Sequence, residues 1–300
     1  MGLIKSLYAG LAKRNYYMAR SRWKHRQRKT MQAFKGPPVL NYQMGKVGSS
    51  TIQASLQALD LDQPIYHIHF LSPDRVREIE QQRRRFFRTD KQRLLYRPWL
   101  SQFLFDEVNK RDRRWKLITL VRDPVARNIS TFFENLEVRE LDGTNVFQVK
   151  SDYYGFDVEV GLDKVEPLVA LFFERLVHER PLTWFDDEIK SVFGIDVFEG
   201  NFSREKGYKI IAGENADLLL IRLNELNQCA AMAFNEFLDI NEFALIQSNV
   251  ASNKAYARLY KAFKKEICLP EEYLNRMYGS KFTRYFFSEE EVRRLRKAWS

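Results

Sequence analysis

Apolar positions in this 300-residue chain fall into short strand-like runs separated by longer stretches of helical period. The first run, Pro38-Val39-Leu40 with Tyr42, gives way to a polar loop and then to Ile52, Leu56 and Leu59 at helical spacing. Residues 64–71 read as a second strand ending at Ser72-Pro73, and the charge-dense stretch 74–109 as a pair of surface helices. A β-branched strand at 117–121 precedes a helix at 124–136. Residues 138–163 show no clear period and contain Gly143, Gly155 and Gly161, which predicts a mobile loop over the site. Helices are expected at 164–180 and 183–193, then strands at 195–199, 207–212 and 218–223. The C-terminal third is helical, broken by Pro270 and by Tyr278-Gly279. Strands alternating with helices predict a three-layer α/β/α fold with a mainly parallel central sheet.

The polar loop after the first strand carries the chemistry. It reads Gln43-Met44-Gly45-Lys46-Val47-Gly48-Ser49-Ser50-Thr51. A strand, a tight Gly/Ser/Thr loop and a helix start make a phosphate cradle, because backbone N–H groups and the helix N-terminus favour an anion. The Walker A order places lysine after the second glycine. Here Lys46 precedes Gly48, so the loop indicates phosphate but not ordinary ATP.

A second segment complements it. The strand ending at Val121 runs into Arg122-Asp123-Pro124, with Arg127 and Ser130 following. Asp123 suits a helix cap and Pro124 the first helical turn. Arg122 then sits at the carboxyl end of a strand, where open α/β sheets bind ligands. Ser130 lies about two turns into the next helix and can face the same crevice. A guanidinium and a hydroxyl suit a second phosphate. The structural alternative pairs Arg122 with Asp123 and leaves Ser130 an exposed helix serine.

Together the two segments resemble the sulfotransferase superfamily. Residues 46–51 are similar to that family's 5′-phosphosulfate loop, and Val121-Arg122-Asp123-Pro124 through Ser130 to its 3′-phosphate segment. Further stretches resemble a bacterial branch of capsular polysaccharide synthesis proteins. These are Tyr66-His67-Ile68-His69-Phe70, residues 181–188, 193–198 and 218–226, and Asn253-Lys254-Ala255-Tyr256-Ala257, where that branch is expected to carry Trp and Ser in place of Ala255 and Ala257. The resemblance spans residues 39–299.

The resemblance implies a P-loop-containing nucleotide hydrolase-like fold. It also implies an enzyme that moves a sulfuryl group from 3′-phosphoadenosine 5′-phosphosulfate (PAPS) to a hydroxyl or amine of a carbohydrate. In that reading Lys46 stabilises the leaving group, while Val47, Gly48, Ser49, Ser50 and Thr51 hold the 5′-phosphate. Arg122 and Ser130 hold the 3′-phosphate. The base is His67, His69 or Glu134. The two histidines are expected on opposite faces of their strand, so that only one reaches the cleft. Histidine suits proton transfer near neutral pH. Asp186, Asp187 and Glu188 line the acceptor side or simply favour a helix start, and Trp184 is a core residue or a stacking platform. No carboxylate pair of the kind that holds magnesium stands at a strand end, so no metal is expected. An ATP-dependent phosphoryl transferase and a non-catalytic nucleotide-binding scaffold for polysaccharide assembly are the competing readings.

Charge divides the chain in two. Eleven of the 49 Lys and Arg fall within residues 1–59, before the first acid, Asp60. The other 38 face 39 acids, so the net charge of +10 belongs to the N-terminus and not to the fold. Residues 1–36 therefore read as a basic extension and 37–300 as the domain. Ile4, Leu7, Tyr8 and Leu11 are at helical spacing, followed by Arg20, Arg22, Lys24, Arg26, Arg28 and Lys29. That pattern predicts a helix attracted to an anionic membrane surface; a solvated tail is the alternative. Nucleic acid is not expected, since no reader motif accompanies the charge. Only Cys229 and Cys268 are present, and no run reaches the roughly 17 apolar residues of a membrane span. The expected location is cytoplasmic, peripheral at the inner face of the membrane.

Overall fold

The computed structural model describes residues 2–59, 61–86, 91–141, 143–247 and 254–299; within helices, the side chains of 2–17, 82–86 and 91–97 lie outside this description. In chain order the elements begin with α1 (Gly2–Ala33), β1 (Val39–Tyr42), α2 (Ser49–Gln57), β2 (Ile65–Ile68), α3 (Pro73–Phe86) and α4 (Lys91–Val108). Next come β3 (Trp115–Val121), α5 (Pro124–Glu134), β4 (Glu137–Glu140), β5 (Val146–Ser151) and β6 (Phe156–Gly161). After α6 (Glu166–Arg175), α7 (Arg180–Trp184) passes through a π-helical stretch, Phe185–Lys190, into α8 (Ser191–Phe193). Strands β7 (Tyr208–Ala212) and β8 (Ala216–Arg222) precede α9 (Leu226–Leu238), α10 (Ala257–Glu266), α11 (Glu271–Tyr278), α12 (Lys281–Phe286) and α13 (Glu289–Lys297).

Five strands form one sheet in the order β2-β1-β3-β8-β7. All its pairings are parallel except β7 with β8. Every residue of β1 is buried, as are six of the seven in β3 and in β8. Near-continuous burial means that both faces of the sheet are covered, as parallel sheets require. The chain leaves β1 for β2 on one side and returns through β3 on the other. The crevice at their carboxyl ends is thus a topological switch point, where such sheets bind ligands.

Two segments depart from expectation. Residues 138–163 form a second, antiparallel sheet, β4-β5-β6, and not a mobile loop. Phe147, Val149 and Ser151 alternate inward on β5, a period of two that the flanking polar residues obscured. Gly143 and Gly155 adopt φ of 70° and 73°, so these glycines make turns. The inward face packs with α5, α6 and α10 in an apolar cluster separate from the one around the main sheet. The strand expected at 195–199 is absent. The Asp196 carboxylate accepts the Phe198 N–H at 2.9 Å and folds the chain into a turn while Ile195 and Val197 stay buried.

The later half of α1 is docked. Trp23 packs edge-on against Phe103 of α4, Lys24 Nζ lies 2.7 Å from Asp106, and Arg28 Nε lies 3.0 Å from Glu107. Two of the six clustered cations are therefore matched by acids of α4. Ile4, Leu7, Tyr8 and Leu11 lie outside the described side chains. Among the described residues no helix is long and apolar enough to cross a membrane.

Candidate functional site

The loop between β1 and α2 is held from inside. Asn41, wholly buried on β1, donates its side-chain amide to the Ser49 carbonyl at 3.0 Å and to Gln53 Oε1 at 3.2 Å, pinning the start of α2 to the sheet. Gly48 caps that helix at φ 99°, a conformation that side chains disfavour. A Cβ there would also meet Leu223 Cδ1 at 2.8 Å. Lys46 adopts φ 72° although it is not glycine. Such backbone persists only where the surroundings over-determine it, and here two arginines do so. Arg122 Nη1 donates to the Lys46 carbonyl at 2.7 Å, and Arg127 Nε donates to the Gly45 carbonyl at 3.3 Å.

Arg122 is not spent on Asp123. The Asp123 carboxylate caps α5 by accepting the N–H groups of Val125 and Ala126, and it also accepts the Tyr278 hydroxyl at 3.0 Å. Both segments expected to hold phosphate line one cavity of about 540 Å³. Gly45, Lys46, Gly48, Ser49, Ser50 and Thr51 border it from the loop and α2, Arg122 from the end of β3, and Ser130 and Glu134 from α5. The first two N–H groups of α2, those of Ser49 and Ser50, have no partner within the helix by geometry, while the Thr51 N–H donates to the Gly48 carbonyl at 3.1 Å. Of the residues expected at the phosphates, only Val47 is turned away, wholly buried in the core.

His67 and His69 both line the cavity. The expectation that only one could reach it is wrong, because residues two apart on a strand share a face. Their rings meet edge-on with centroids 4.8 Å apart. His69 Nδ1 lies 2.8 Å from the Gln43 carbonyl. A carbonyl can only accept, so Nδ1 carries the proton and Nε2 is the basic nitrogen.

Glu134 is engaged by three partners. Its Oε2 lies 3.0 Å from Lys46 Nζ and 3.8 Å from Lys254 Nζ, and it accepts the Tyr256 hydroxyl at 3.1 Å. Burial raises its carboxyl, but the Lys46 hydrogen bond and charge, with Lys254 and Tyr256, leave it below its ordinary value. Lys254 and Tyr256 come from the stretch 253–257, whose Asn253 lies outside the described residues. The sequence marked that stretch without assigning its residues a role.

Glu188, expected on the acceptor side or at a helix start, is instead a buried brace. It is buried, accepts the N–H groups of Leu71 and Ser72 at 2.7 and 2.9 Å, and also receives the Ser72 and Tyr42 hydroxyls. Burial pushes its carboxyl up, against these hydrogen bonds. Trp184, buried in the core, donates Nε1 to the His69 carbonyl at 3.1 Å. Residues 181–188 thus brace the turn after β2 and the histidine on it. A π-helical stretch passes through them, and such irregularities recur at functional sites. Neither Trp184 nor Glu188 lines the cavity.

The sequence model of a family described as "NKWYS: Putative capsular polysaccharide synthesis protein" matches residues 157–288, under half of the chain. Spelled as residues, those five letters agree with 253–257 at Asn253, Lys254 and Tyr256. The match includes Trp184, Glu188, Lys254 and Tyr256 but not residues 45–51 or 122–130. No curated protein and no solved structure matches the chain.

Proposed function

We propose that the protein is a PAPS-dependent sulfotransferase that modifies a carbohydrate in capsular or other extracellular polysaccharide synthesis. The observation that carries this is the convergence of Lys46, the first turn of α2, Arg122 and Ser130 on one cavity, which supports two phosphate subsites in place of one. The description of the matching family supplies the polysaccharide context.

When bound, PAPS supplies an activated sulfuryl group. The N–H groups of Ser49 and Ser50 and the hydroxyls at 49–51 bind its 5′-phosphate, and Lys46 neutralises charge on the departing oxygen, a contribution that grows toward the transition state. Arg122 and Ser130 bind the 3′-phosphate, which ATP lacks. His69 Nε2 takes the proton of the acceptor hydroxyl, its tautomer set by the Gln43 carbonyl. Glu134 serves as counter-ion to Lys46 and Lys254; with its carboxyl held low it is the poorer base at neutral pH.

Transfer of radiolabelled sulfate from PAPS to polysaccharide fractions tests the reading. Lys46→Ala should lower turnover on the order of 100- to 1,000-fold while nucleotide affinity changes far less. Nucleotide binding with no transfer to any fraction would favour the scaffold reading instead.

A further inference from the structure

Beside the phosphate loop stands a group of guanidiniums that donor binding does not use. Arg127, on the first turn of α5, is 7% exposed, and its described hydrogen bonds go to neutral acceptors: the Gly45 carbonyl and Asn128 Oδ1, the latter at 3.1 Å. Its guanidinium is pushed down to about 10, foremost by burial; Tyr154 opposes this, and the positive charges of Arg180, Arg122 and Arg75 add to it. Arg180, at the start of α7, is lowered by burial and then by Arg75, against Glu78, Asp187 and Tyr153. The packing agrees: Asn128, next to Arg127, donates to the His178 carbonyl at 2.8 Å, two residues before Arg180, and Arg180 and Arg75 both lie against Glu78, so α3, α5 and α7 bring Arg75, Arg127 and Arg180 together.

The acids around them are few. Glu78 hydrogen-bonds Arg75 and lies 4.0 Å from Arg180, while Asp187 receives the Thr183 hydroxyl at 2.7 Å. Among the described residues, three guanidiniums here are opposed chiefly by Glu78 and Asp187. Charges removed from water are tolerated when a counter-charge joins them. The Arg75 and Arg180 side chains are 20% and 24% exposed, so an anion from solvent can reach them. Guanidinium is weakly hydrated and its fork matches carboxylate or phosphate oxygens.

We propose that Arg75, Arg127 and Arg180 form a second anion site, adjoining the phosphate loop, that receives a carboxylate or phosphate of the carbohydrate acceptor. The site rests on the carbohydrate-acceptor reading above. It makes the acceptor an acidic sugar and couples its charge to the loop through the Arg127–Gly45 hydrogen bond.

Equilibrium binding to the full chain, without donor, tests it. The probes are a glucuronate-containing tetrasaccharide, the same tetrasaccharide with carboxyls reduced to alcohols, and glucose 1-phosphate. An anionic probe should bind wild type and Lys46→Ala alike, and at least tenfold more tightly than the reduced tetrasaccharide. Whichever anion binds more tightly identifies the group the acceptor carries. The double variant Arg75→Gln with Arg180→Gln should weaken that binding at least tenfold and leave affinity for 3′-phosphoadenosine 5′-phosphate unchanged. If the double variant does not fold, Arg75→Gln alone should weaken it at least threefold. Equal binding of the reduced tetrasaccharide, unchanged affinity in the arginine variants, or loss of binding in Lys46→Ala would each overturn the site. Donor binding is scored separately: an anionic probe that binds while the nucleotide does not refutes the PAPS reading alone.

Discussion

Replacing Glu188 with alanine probes how the scaffold holds the proton acceptor. The carboxylate receives two backbone N–H groups, Leu71 and Ser72, and two hydroxyls, Tyr42 and Ser72. Leu71 and Tyr42 are wholly buried, so water does not readily replace what is lost. Each orphaned buried donor costs about 1–3 kcal/mol, and two of the four here belong to wholly buried residues. Relief of a buried charge offsets part of this, because burial already raises the Glu188 carboxyl. The net loss should be about 2–4 kcal/mol, a sizeable share of the 5–15 kcal/mol typical of a folded domain. Tyr42→Phe removes one donor and leaves the carboxylate three, so it should cost only about 1 kcal/mol. Denaturant unfolding of both variants gives the comparison. The turn after β2 also carries His69, so turnover in Glu188→Ala should fall more than nucleotide affinity. A loss within about 0.5 kcal/mol, the range of an ordinary surface change, would show that Glu188 does not hold that turn.

Gly48→Ala should cost about 1–3 kcal/mol, from its φ of 99° and the 2.8 Å approach to Leu223, and should weaken phosphate binding as α2 shifts; unfolding and nucleotide titration read both. Arg122→Ala should weaken 3′-phosphoadenosine 5′-phosphate at least tenfold and AMP clearly less, the residual AMP effect reflecting the lost hydrogen bond to the Lys46 carbonyl, as measured by calorimetric titration. Glu134 sits below its ordinary carboxyl value of 4.5, so its stabilisation is present above that value and is lost as pH falls through the lowered one. Glu134→Gln should therefore flatten the acid limb of the stability–pH curve, measured by unfolding at successive pH values.

The two candidate phosphate segments were legible as strand–loop–helix units because their signals are local. Residues 45–51 and 122–130 each pair a strand end with a helix start, and Asp123 and Pro124 occupy the cap and first turn that their chemistry dictates. The second sheet was harder to see. Its strands are four to six residues long, and two of them carry alternate polar residues on an incompletely buried face. The roles of Glu188 and Arg127, both noted in the sequence, were not legible for another reason. Their roles depend on groups 116 and 82 residues away in sequence, Ser72 and Gly45, and no spacing rule reaches that far. Lys254 and Tyr256 were noticed as a motif, but only the fold brings them to Glu134. The histidine pair needed only the period of a strand, which places both rings on one face.

The central claim is that two phosphate sites, not one, border the cavity between β1 and β3. Thermal unfolding with 3′-phosphoadenosine 5′-phosphate, ATP and AMP at equal concentration tests it most directly. A ligand at about 100 times its dissociation constant stabilises by about 2.7 kcal/mol, which raises the midpoint by several degrees. The 3′-phosphorylated nucleotide should do this in wild type and fail in Arg122→Ala, with ATP and AMP giving little shift in either. Stabilisation by ATP equal to or greater than that by the 3′-phosphorylated nucleotide would contradict the account.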